Sequence, residues 1–457
     1  MLGSMTRTIS DAQTAAAAGA PPAAPKRQLT LFDSTCIIVG IIIGAGIYQS
    51  ASLVACGVSS AWSLLGLWLL GGIISLCGAM GYAELASAYP REGGDYVYLS
   101  KAYGPFAGFL FGWLQLLVVR PADIATMAFA FATYALAIYN PLPGHEKISP
   151  RLYAAAAVVI LTLVNVLGVR QGKWTQNLLT TLKALGLLAL VAVAMFAPHQ
   201  GAADATFGPI PFSVALTIVL FTYGGWNEMA YVAGEVKDPG RNIVRALMLG
   251  TLSVIVLYLL FNGAFLYMLG HAGMASSKAV AADAMASAFP EIGGRLFSVL
   301  VCISALGAVN GLVFAGARIS FAVGADHAAF RLVGKWNETT GTPVRALLLQ
   351  AALAVTVILA LGSFLDAVLY TAAAVYLFYL ATSVAVIVLR FRDPETPRPY
   401  RVSLFFLPTV VFCAVCAFLI YGAVTYKPLL SAVAIGLTLA GLPAYWLTTP
   451  IFRTFRL

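Results

Sequence analysis

Long uninterrupted apolar stretches are the feature that most limits how this chain can fold. Stretches of about 20 apolar residues, the length that crosses roughly 30 Å of hydrocarbon as a helix, recur along the chain. Of its 457 residues, 60% are hydrophobic and only 10% are charged. The apolar stretches are continuous rather than alternating, which excludes a transmembrane β-barrel. The sequence therefore predicts an all-α polytopic membrane protein.

We predict twelve transmembrane helices and a disordered cytoplasmic tail. The tail covers residues 1–28, is rich in alanine and proline, and carries no recognisable cleavable signal peptide. The helices are expected at 33–57, 61–83, 105–138, 153–169, 177–197, 211–233, 243–269, 291–322, 344–362, 365–390, 403–425 and 429–448.

The basic residues set the expected orientation of these helices. With both termini in the cytoplasm, 20 of the 27 Lys and Arg residues fall in inner loops and tails. The outer loops hold five, namely Lys147, Arg151, Lys278, Arg295 and Lys427. Such an excess on the inner side is typical of helical membrane proteins. This topology explains the formal net charge of +9, so we expect contact with the lipid bilayer and no nucleic-acid partner.

Two of the predicted helices carry paired glycines near the middle of the membrane. GIIIGAGIYQS, at 40–50, contains Gly44 and Gly46, and FTYGGWNE, at 221–228, contains Gly224. Gly44 and Gly224 are 180 residues apart, each in the first helix of a block of five. Interrupted helices at matching places in two halves indicate a transporter with inverted repeats. Close helix packing through small residues is the alternative explanation.

Unwinding at both glycine pairs would form a site for an amino acid. Amides exposed over residues 44–46, at the start of a half-helix, suit a carboxylate. Carbonyls exposed at residues 221, 222 and 224 can accept hydrogen bonds from an ammonium group. Together these features match the α-carboxylate and α-amine of an amino acid. The predicted substrate-binding residues are Ile42, Ile43, Gly44, Ala45, Gly46, Phe221, Thr222, Gly224 and Asn227.

Four motifs carry a resemblance to a known family over most of the chain. They are IIIGAGIY, YAELASAYPREGGDYVY at 82–98, VVRP at 118–121 and YGGWNEMAYVAGEVKDPGRNIVRA at 223–246. They resemble the L-type amino acid transporter branch of the amino acid–polyamine–organocation (APC) superfamily. The resemblance implies a five-plus-five inverted-repeat core of the LeuT type with helices 1 and 6 broken. Substrate would lie between those two helices, and Phe221 would close over it as an aromatic gate.

The implied repeats define the expected domains. Residues 29–200 form the first five-helix repeat, residues 201–392 form the second, and residues 393–457 contain helices 11 and 12. The chain departs from the family pattern at Ala45, where a hydroxyl residue is common. It also departs at Glu228, which we interpret as the hydrated start of the inner half-helix. A partly buried acid near the site is the alternative interpretation of Glu228.

Other charged residues inside the predicted helices are functional candidates. Lys183 lies in the fifth helix, where the resemblance places the ion site of sodium-coupled relatives, so we expect sodium-independent transport. Snorkelling of Lys183 to the inner interface is the alternative. Arg120 and Asp123 lie one turn apart in the third helix, and we expect a local ion pair. A role for Asp123 in binding substrate or a proton remains open.

The function predicted from these features is sodium-independent exchange of small or medium neutral L-amino acids across a bacterial inner membrane. Proton-coupled symport through Lys183 is the alternative. We find no paired acids or clustered histidines of the kind that a membrane-embedded enzyme would need. Broken helices around a site for a zwitterion are also more typical of a transporter than of a channel. We expect no cofactor and no metal site.

A covalently attached subunit is also not expected. The resemblance implies that eukaryotic members join a single-span glycoprotein through a cysteine in the loop after helix 3. The corresponding loop, YNPLPGHEKISPRLY at 139–153, contains no cysteine. We therefore expect no disulfide-linked subunit.

Overall fold

The computed structural model describes residues 30–90, 93–145, 147–167, 186, 191–194, 210–290, 292–326, 330–337, 339–340, 342–402 and 406–446. Within these ranges the regular structure is helical, and one isolated antiparallel bridge joins Asn337 to Thr342. The helices are α1 (Leu31–Ile42), α2 (Gly46–Ala55), α3 (Ala61–Ala88), α4 (Asp95–Tyr103), α5 (Pro105–Leu114), α6 (Arg120–Ile138), α7 (Ser149–Val166), α8 (Phe212–Thr222), α9 (Pro239–Ser276), α10 (Val280–Ala288), α11 (Gly293–Asp326), α12 (Val344–Leu361), α13 (Phe364–Arg392), α14 (Leu407–Tyr426) and α15 (Pro428–Leu439). A π-helix occupies Gln115–Val119, and a 3-10 helix occupies Trp226–Glu235.

Nine helical segments in the described part of the chain are long and apolar enough to cross a membrane. They are Ala61–Ala88, Pro105–Ile138, Ser149–Val166, Pro239–Ser276, Gly293–Phe321, Val344–Leu361, Phe364–Arg392, Leu407–Tyr426 and Pro428–Trp446. Each corresponds to one of the twelve predicted spans. The prediction of an all-helical membrane protein is therefore confirmed for the residues that the structure describes.

The other three predicted spans differ from these nine. The spans predicted at 33–57 and 211–233 are each divided into two shorter helices, as the glycine pairs indicated. The span predicted at 177–197 lies outside the described residues, apart from positions 186 and 191–194, and so does Lys183. The predicted tail also lies outside them. The total of twelve helices therefore stays a prediction.

Local sequence signals explain where several helices begin. The Ser60 side chain accepts from the Ser63 amide, and the Ser63 side chain accepts from the Ser60 amide, which forms a capping box ahead of α3. Ser363 caps α13 through the amide of Asp366. The seventh span begins earlier than predicted, because Pro239 is well suited to the first helical position, and it continues to Ser276 beyond a non-helical Gly270 (φ 67°).

The third span changes its hydrogen-bond pattern at its centre. Between α5 and α6, Gln115–Val119 forms a π-helix. Pro121 has no N–H and cannot bond the carbonyl of Leu117 four residues earlier. A wider π turn accommodates such a missing bond, and π turns inside helices are frequent at functional sites. This turn directly precedes Arg120, the charged residue singled out in the sequence.

Two buried acids from the motif at 82–98 connect α3 and α4 to α13. Glu84 accepts hydrogen bonds from Arg390 Nε at 2.6 Å and from the Val402 amide at 2.7 Å. Asp95 accepts from Thr382 Oγ1 at 2.7 Å. Because a buried charge is stable only when paired and hydrogen-bonded, both acids have a structural explanation.

Candidate substrate site

The first break separates α1 from α2 at residues 43–45. The Ile43 amide donates to the Val39 carbonyl at 2.9 Å, and the Gly44 amide donates to the Ile42 carbonyl at 2.8 Å. The Gly44 amide is therefore engaged within the break, which corrects the expectation that it is exposed for substrate. The first amides of a helix precede its first intrahelical bond. A carboxylate site at this break consequently rests on the amides at the start of α2, beginning with Gly46.

Glycine supplies space at this break rather than an unusual backbone conformation. Gly44 and Gly46 are absent from the described glycines that have positive φ. A Cβ placed on Gly44 would lie 3.7 Å from Met127 Sδ. One placed on Gly46 would lie 3.7 Å from Met127 Cε and 3.8 Å from Thr222 Cγ2. These are ordinary contact distances, so the structure itself tolerates alanine at either position and the missing side chain leaves open the approach to the backbone.

The second break separates α8 from the 3-10 helix at residues 223–225, and here the backbone does require glycine. Gly225 has φ 111°, a left-handed conformation that side chains other than glycine rarely adopt. A Cβ on Gly224 would lie only 2.8 Å from the Phe221 carbonyl oxygen. That oxygen accepts from the Gly224 amide at 2.9 Å, so the Phe221 carbonyl is not left exposed as predicted.

A tyrosine that sequence analysis missed connects the two breaks. The Tyr258 hydroxyl, on α9, lies 2.8 Å from the Ile42 carbonyl oxygen and 3.0 Å from that of Thr222, so the two acceptors share its single proton. Its side chain is fully buried. The Thr222 carbonyl therefore also has a hydrogen-bond donor, as the Phe221 carbonyl does. The available signal was a hydroxyl in the apolar stretch VIVLYLLF, because a buried tyrosine hydroxyl needs a hydrogen-bond partner.

The two half-helices α2 and α8 are also joined directly. Ser50 Oγ and Thr222 Oγ1 lie 2.6 Å apart, and Ser50 Oγ is 2.7 Å from the Gly46 carbonyl oxygen. Both side chains are buried. The predicted site residues Ile42, Ile43, Ala45 and Thr222 are buried as well. The structure thus brings the two predicted halves of the site together.

The predicted gate residue lies at the end of α8 and packs against another aromatic ring. Phe221 and Phe364 form an edge-to-face pair, with ring centroids 6.1 Å apart and an interplanar angle of 87°. Phe364 begins α13 and is buried, whereas Phe221 is half-buried. This is a favourable arrangement for two aromatic rings. It shows which surface Phe221 must leave if its ring moves.

The residues that follow the second break are held by polar contacts to two other spans. Asn227 is buried and its Oδ1 accepts from the Tyr379 hydroxyl at 3.3 Å. Glu228 Oε1 accepts from Arg120 Nη2 at 2.7 Å, with the side chains 18% and 3% exposed respectively. Glu228 is therefore a mostly buried, paired acid, and its interpretation as the hydrated start of a half-helix was wrong.

The ion pair also differs from the local one expected within the third span. The described partner of Arg120 lies on the 3-10 helix, 108 residues away in sequence. Asp123 is half-buried in the first turn of α6. It lies on the same helix as Arg120, three residues after it. Three ionisable residues are thus grouped beside the second break.

Two broken helices that meet at a buried polar site within a helical membrane protein are the features of a secondary transporter. The sequence profile of the amino acid permease family matches residues 29–440, and the chain belongs to that family. The motifs had indicated the L-type branch of the APC superfamily, and the relatives confirm that prediction.

Three relatives illustrate this membership. The chain is 30% identical over 420 residues to the b(0,+)-type amino acid transporter 1 of Mus musculus, covering 88% of this chain and 84% of that protein. It is 30% identical over 453 residues to the large neutral amino acids transporter small subunit 2 of Homo sapiens, covering 96% and 83%. It is 30% identical over 432 residues to the serine/threonine exchanger SteT of Bacillus subtilis (strain 168), covering 92% and 96%.

Proposed function

We propose that this protein is a sodium-independent secondary transporter that exchanges small or medium neutral L-amino acids across a bacterial inner membrane. The observation that carries the proposal is the meeting of the two breaks, whose end carbonyls at Ile42 and Thr222 share the Tyr258 hydroxyl. The names of the relatives, which include transporters of amino acids and a serine/threonine exchanger, support amino acids as substrates.

Each end of an amino acid has a counterpart at the breaks. The substrate carboxylate binds the first amides of α2 near Gly46, where the N-terminal end of the helix favours an anion. The substrate ammonium binds carbonyls at the end of α8. A carbonyl oxygen has two lone pairs, so those of Phe221 and Thr222 can accept a second donor beside their present ones.

The surroundings of this position favour a small or medium side chain. Met127 and Thr222 lie at contact distance from a Cβ on Gly46, and the Phe221 ring lies at the end of α8. Phe221 acts as the gate and closes over bound substrate. The ionic groups of the neighbouring cluster include both signs, with Arg120 paired to Glu228. This pairing favours neutral substrates over singly charged ones.

The topology and repeats belong to the same proposal. Residues 29–200 and 201–392 form two inverted five-helix repeats, followed by helices 11 and 12 at 393–457, with both termini in the cytoplasm. The excess of Lys and Arg in the loops assigned to the inside supports this orientation. The half-helices α1 and Trp226–Glu235 then lie on the inner side of the site, and α2 and α8 lie on the outer side.

Coupling is proposed to depend on Lys183, whose position lies outside the described residues. A permanent positive charge there would replace sodium and leave exchange as the transport mode. A lysine that binds and releases its proton would instead give proton-coupled symport, the second candidate, which we retain because an intramembrane lysine is a functional candidate in either case. The loop at 139–153 contains no cysteine, and we propose that the protein works without a disulfide-linked subunit.

Uptake into proteoliposomes tests the proposed function. Purified protein is reconstituted with internal L-serine, and entry of labelled L-serine is measured in sodium-free buffer against protein-free vesicles. An excess of each unlabelled amino acid then competes with the label. We expect inhibition by small and medium neutral L-amino acids and little by lysine or glutamate. Failure to take up any labelled amino acid above the protein-free level would contradict the proposal.

A further inference from the structure

Arg120, Asp123 and Glu228 form a cluster of ionisable side chains to which the proposed function assigns no direct contact with substrate. Arg120 and Glu228 make an ion pair at 2.7 Å, and Asp123 follows Arg120 by three residues on the same helix. Arg120 is almost completely buried, whereas Glu228 keeps 18% of its side chain exposed. A cation and two acids therefore share one place inside the membrane region. We call these three residues the charge cluster.

The two acids of the charge cluster belong to different structural elements. Asp123 lies in α6, on the same helix as Arg120 and three residues after it, so the two side chains are neighbours on one face. Glu228 lies on the 3-10 helix Trp226–Glu235. That helix follows the left-handed Gly225 at the second break, a backbone position that can act as a hinge.

A buried arginine in this position needs an acid in every conformation of the protein. Removing one partner of a buried ion pair is strongly destabilising, because it leaves an uncompensated charge away from water. If the 3-10 helix moves away from α6, Glu228 moves with it and the present bond to Arg120 is lost. Asp123 stays beside Arg120, because both residues lie on the same helix.

We propose that Arg120 changes partner during transport, bonding Glu228 when the inner half of the sixth span is closed against α6 and Asp123 when it is open. Asp123 is thus a positioning residue that makes inner opening possible, and Glu228 is one that favours inner closure. The inference rests on the proposed function and its topology, since it assigns the 3-10 helix to the inner side of the site.

The two acids consequently have opposite effects on the conformational equilibrium. Glu228→Gln weakens the contact present only in the inner-closed state, so the protein shifts toward inner-open. Asp123→Asn removes the partner needed only in the inner-open state, so the protein shifts toward inner-closed. Apparent affinity on either side follows the fraction of protein open to that side. A purely structural role predicts no such difference in direction.

The experiment measures the apparent KM of labelled substrate on each side of the membrane. Intact cells report the outer side and inside-out vesicles report the inner side. For Glu228→Gln we expect the ratio of outer to inner KM to rise about fivefold or more, and for Asp123→Asn to fall by a similar factor. The charge-retaining variants Glu228→Asp and Asp123→Glu should keep the ratio within about twofold of wild type.

Asp366→Asn is the matched control, because Asp366 makes an ion pair with Lys427 at 3.3 Å whose side chains are 29% and 42% exposed. It should leave the KM ratio unchanged. The partner change is overturned if the KM ratio shifts in the same direction in Glu228→Gln and Asp123→Asn, or if it shifts in neither variant. If Asp123→Asn does not accumulate in the membrane, an unchanged KM ratio in Glu228→Gln is by itself enough to overturn the proposal. Absence of uptake by wild type would instead contradict the proposed function.

Discussion

The substitution Gly46→Ala, which adds one methyl group, tests the proposed carboxylate site. A Cβ on Gly46 meets Met127 and Thr222 only at 3.7 and 3.8 Å, so Gly46→Ala should fold and insert normally. The added methyl group would separate the substrate carboxylate from the first amides of α2. We expect uptake to fall about tenfold or more, in line with the roughly 1.5–3 kcal/mol that a hydrogen bond to a charged group contributes.

Gly436→Ala provides the control for this change, because a Cβ on Gly436 in α15 meets no atom within 4 Å. Both variants are compared with wild type for membrane abundance and for uptake in proteoliposomes. Gly46→Val extends the series and should abolish uptake. Unchanged uptake by a correctly inserted Gly46→Val protein would show that substrate does not approach this backbone.

Phe221 permits a second test with one residue. Phe221→Ala removes the edge-to-face contact with Phe364 and leaves the closed site open to water. Because such aromatic pairs contribute about 0.5–1.5 kcal/mol, uptake should fall by up to about tenfold. Phe221→Trp should retain uptake and shift preference toward smaller substrates.

Phe212→Ala is the matched control for the gate, since Phe212 lies on the same half-helix but is half exposed. Competition by unlabelled amino acids of increasing size measures the preference of each variant. If Phe221→Ala transports at the wild-type rate, Phe221 is a packing residue and does not act as a gate.

Among the secondary-structure elements, α9 contacts both breaks through one side chain, Tyr258. Tyr258→Phe keeps the buried ring and removes the hydroxyl that the Ile42 and Thr222 carbonyls share. A hydrogen bond contributes about 0.5–1.5 kcal/mol, so losing this shared donor should lower the melting temperature by a few degrees. The rate of uptake should fall by a larger fraction than the melting temperature does, because the ends of the half-helices are no longer held in their relative position.

Tyr421→Phe on α14 removes an exposed hydroxyl and should change neither property. Melting is followed in detergent by intrinsic fluorescence, and uptake is followed in proteoliposomes. Wild-type uptake by Tyr258→Phe would mean that the contact between the breaks is dispensable for transport.

The breaks could be predicted from sequence, whereas their hydrogen bonds could not. Glycine pairs inside apolar helices are local signals, and the structure divides the helices where they occur. The partner of the Thr222 carbonyl lies 36 residues away, and that of Glu228 lies 108 residues away. No local pattern encodes such pairs, because they depend on how whole spans pack. This is why Tyr258 was missed and why Glu228 was misinterpreted as hydrated.

At the scale of the whole molecule, hydropathy was enough to predict most of the spans in the described part of the chain. Nine predicted spans match apolar helices in the described ranges, since about 20 continuous apolar residues in lipid have few alternatives to a helix. Boundaries were less predictable, as the extension of α3 to Ala88 shows. The positions of helix ends near the loops depend on caps and on buried ion pairs. An ion pair such as Glu84 with Arg390 joins residues that are far apart in sequence, so a local pattern does not reveal it.

The most direct test of the central claim, that this protein exchanges amino acids without sodium, is counterflow in proteoliposomes. Labelled L-serine is added in sodium-free buffer to vesicles that do or do not contain internal L-serine. Each kind of vesicle is tested with and without an imposed pH gradient. The same measurements are made on the Lys183→Ala and Gly436→Ala proteins. We predict transient accumulation only with internal substrate, independent of the pH gradient, lost in Lys183→Ala and kept in Gly436→Ala. Accumulation driven by the pH gradient into empty vesicles, or a strict requirement for sodium, would contradict it.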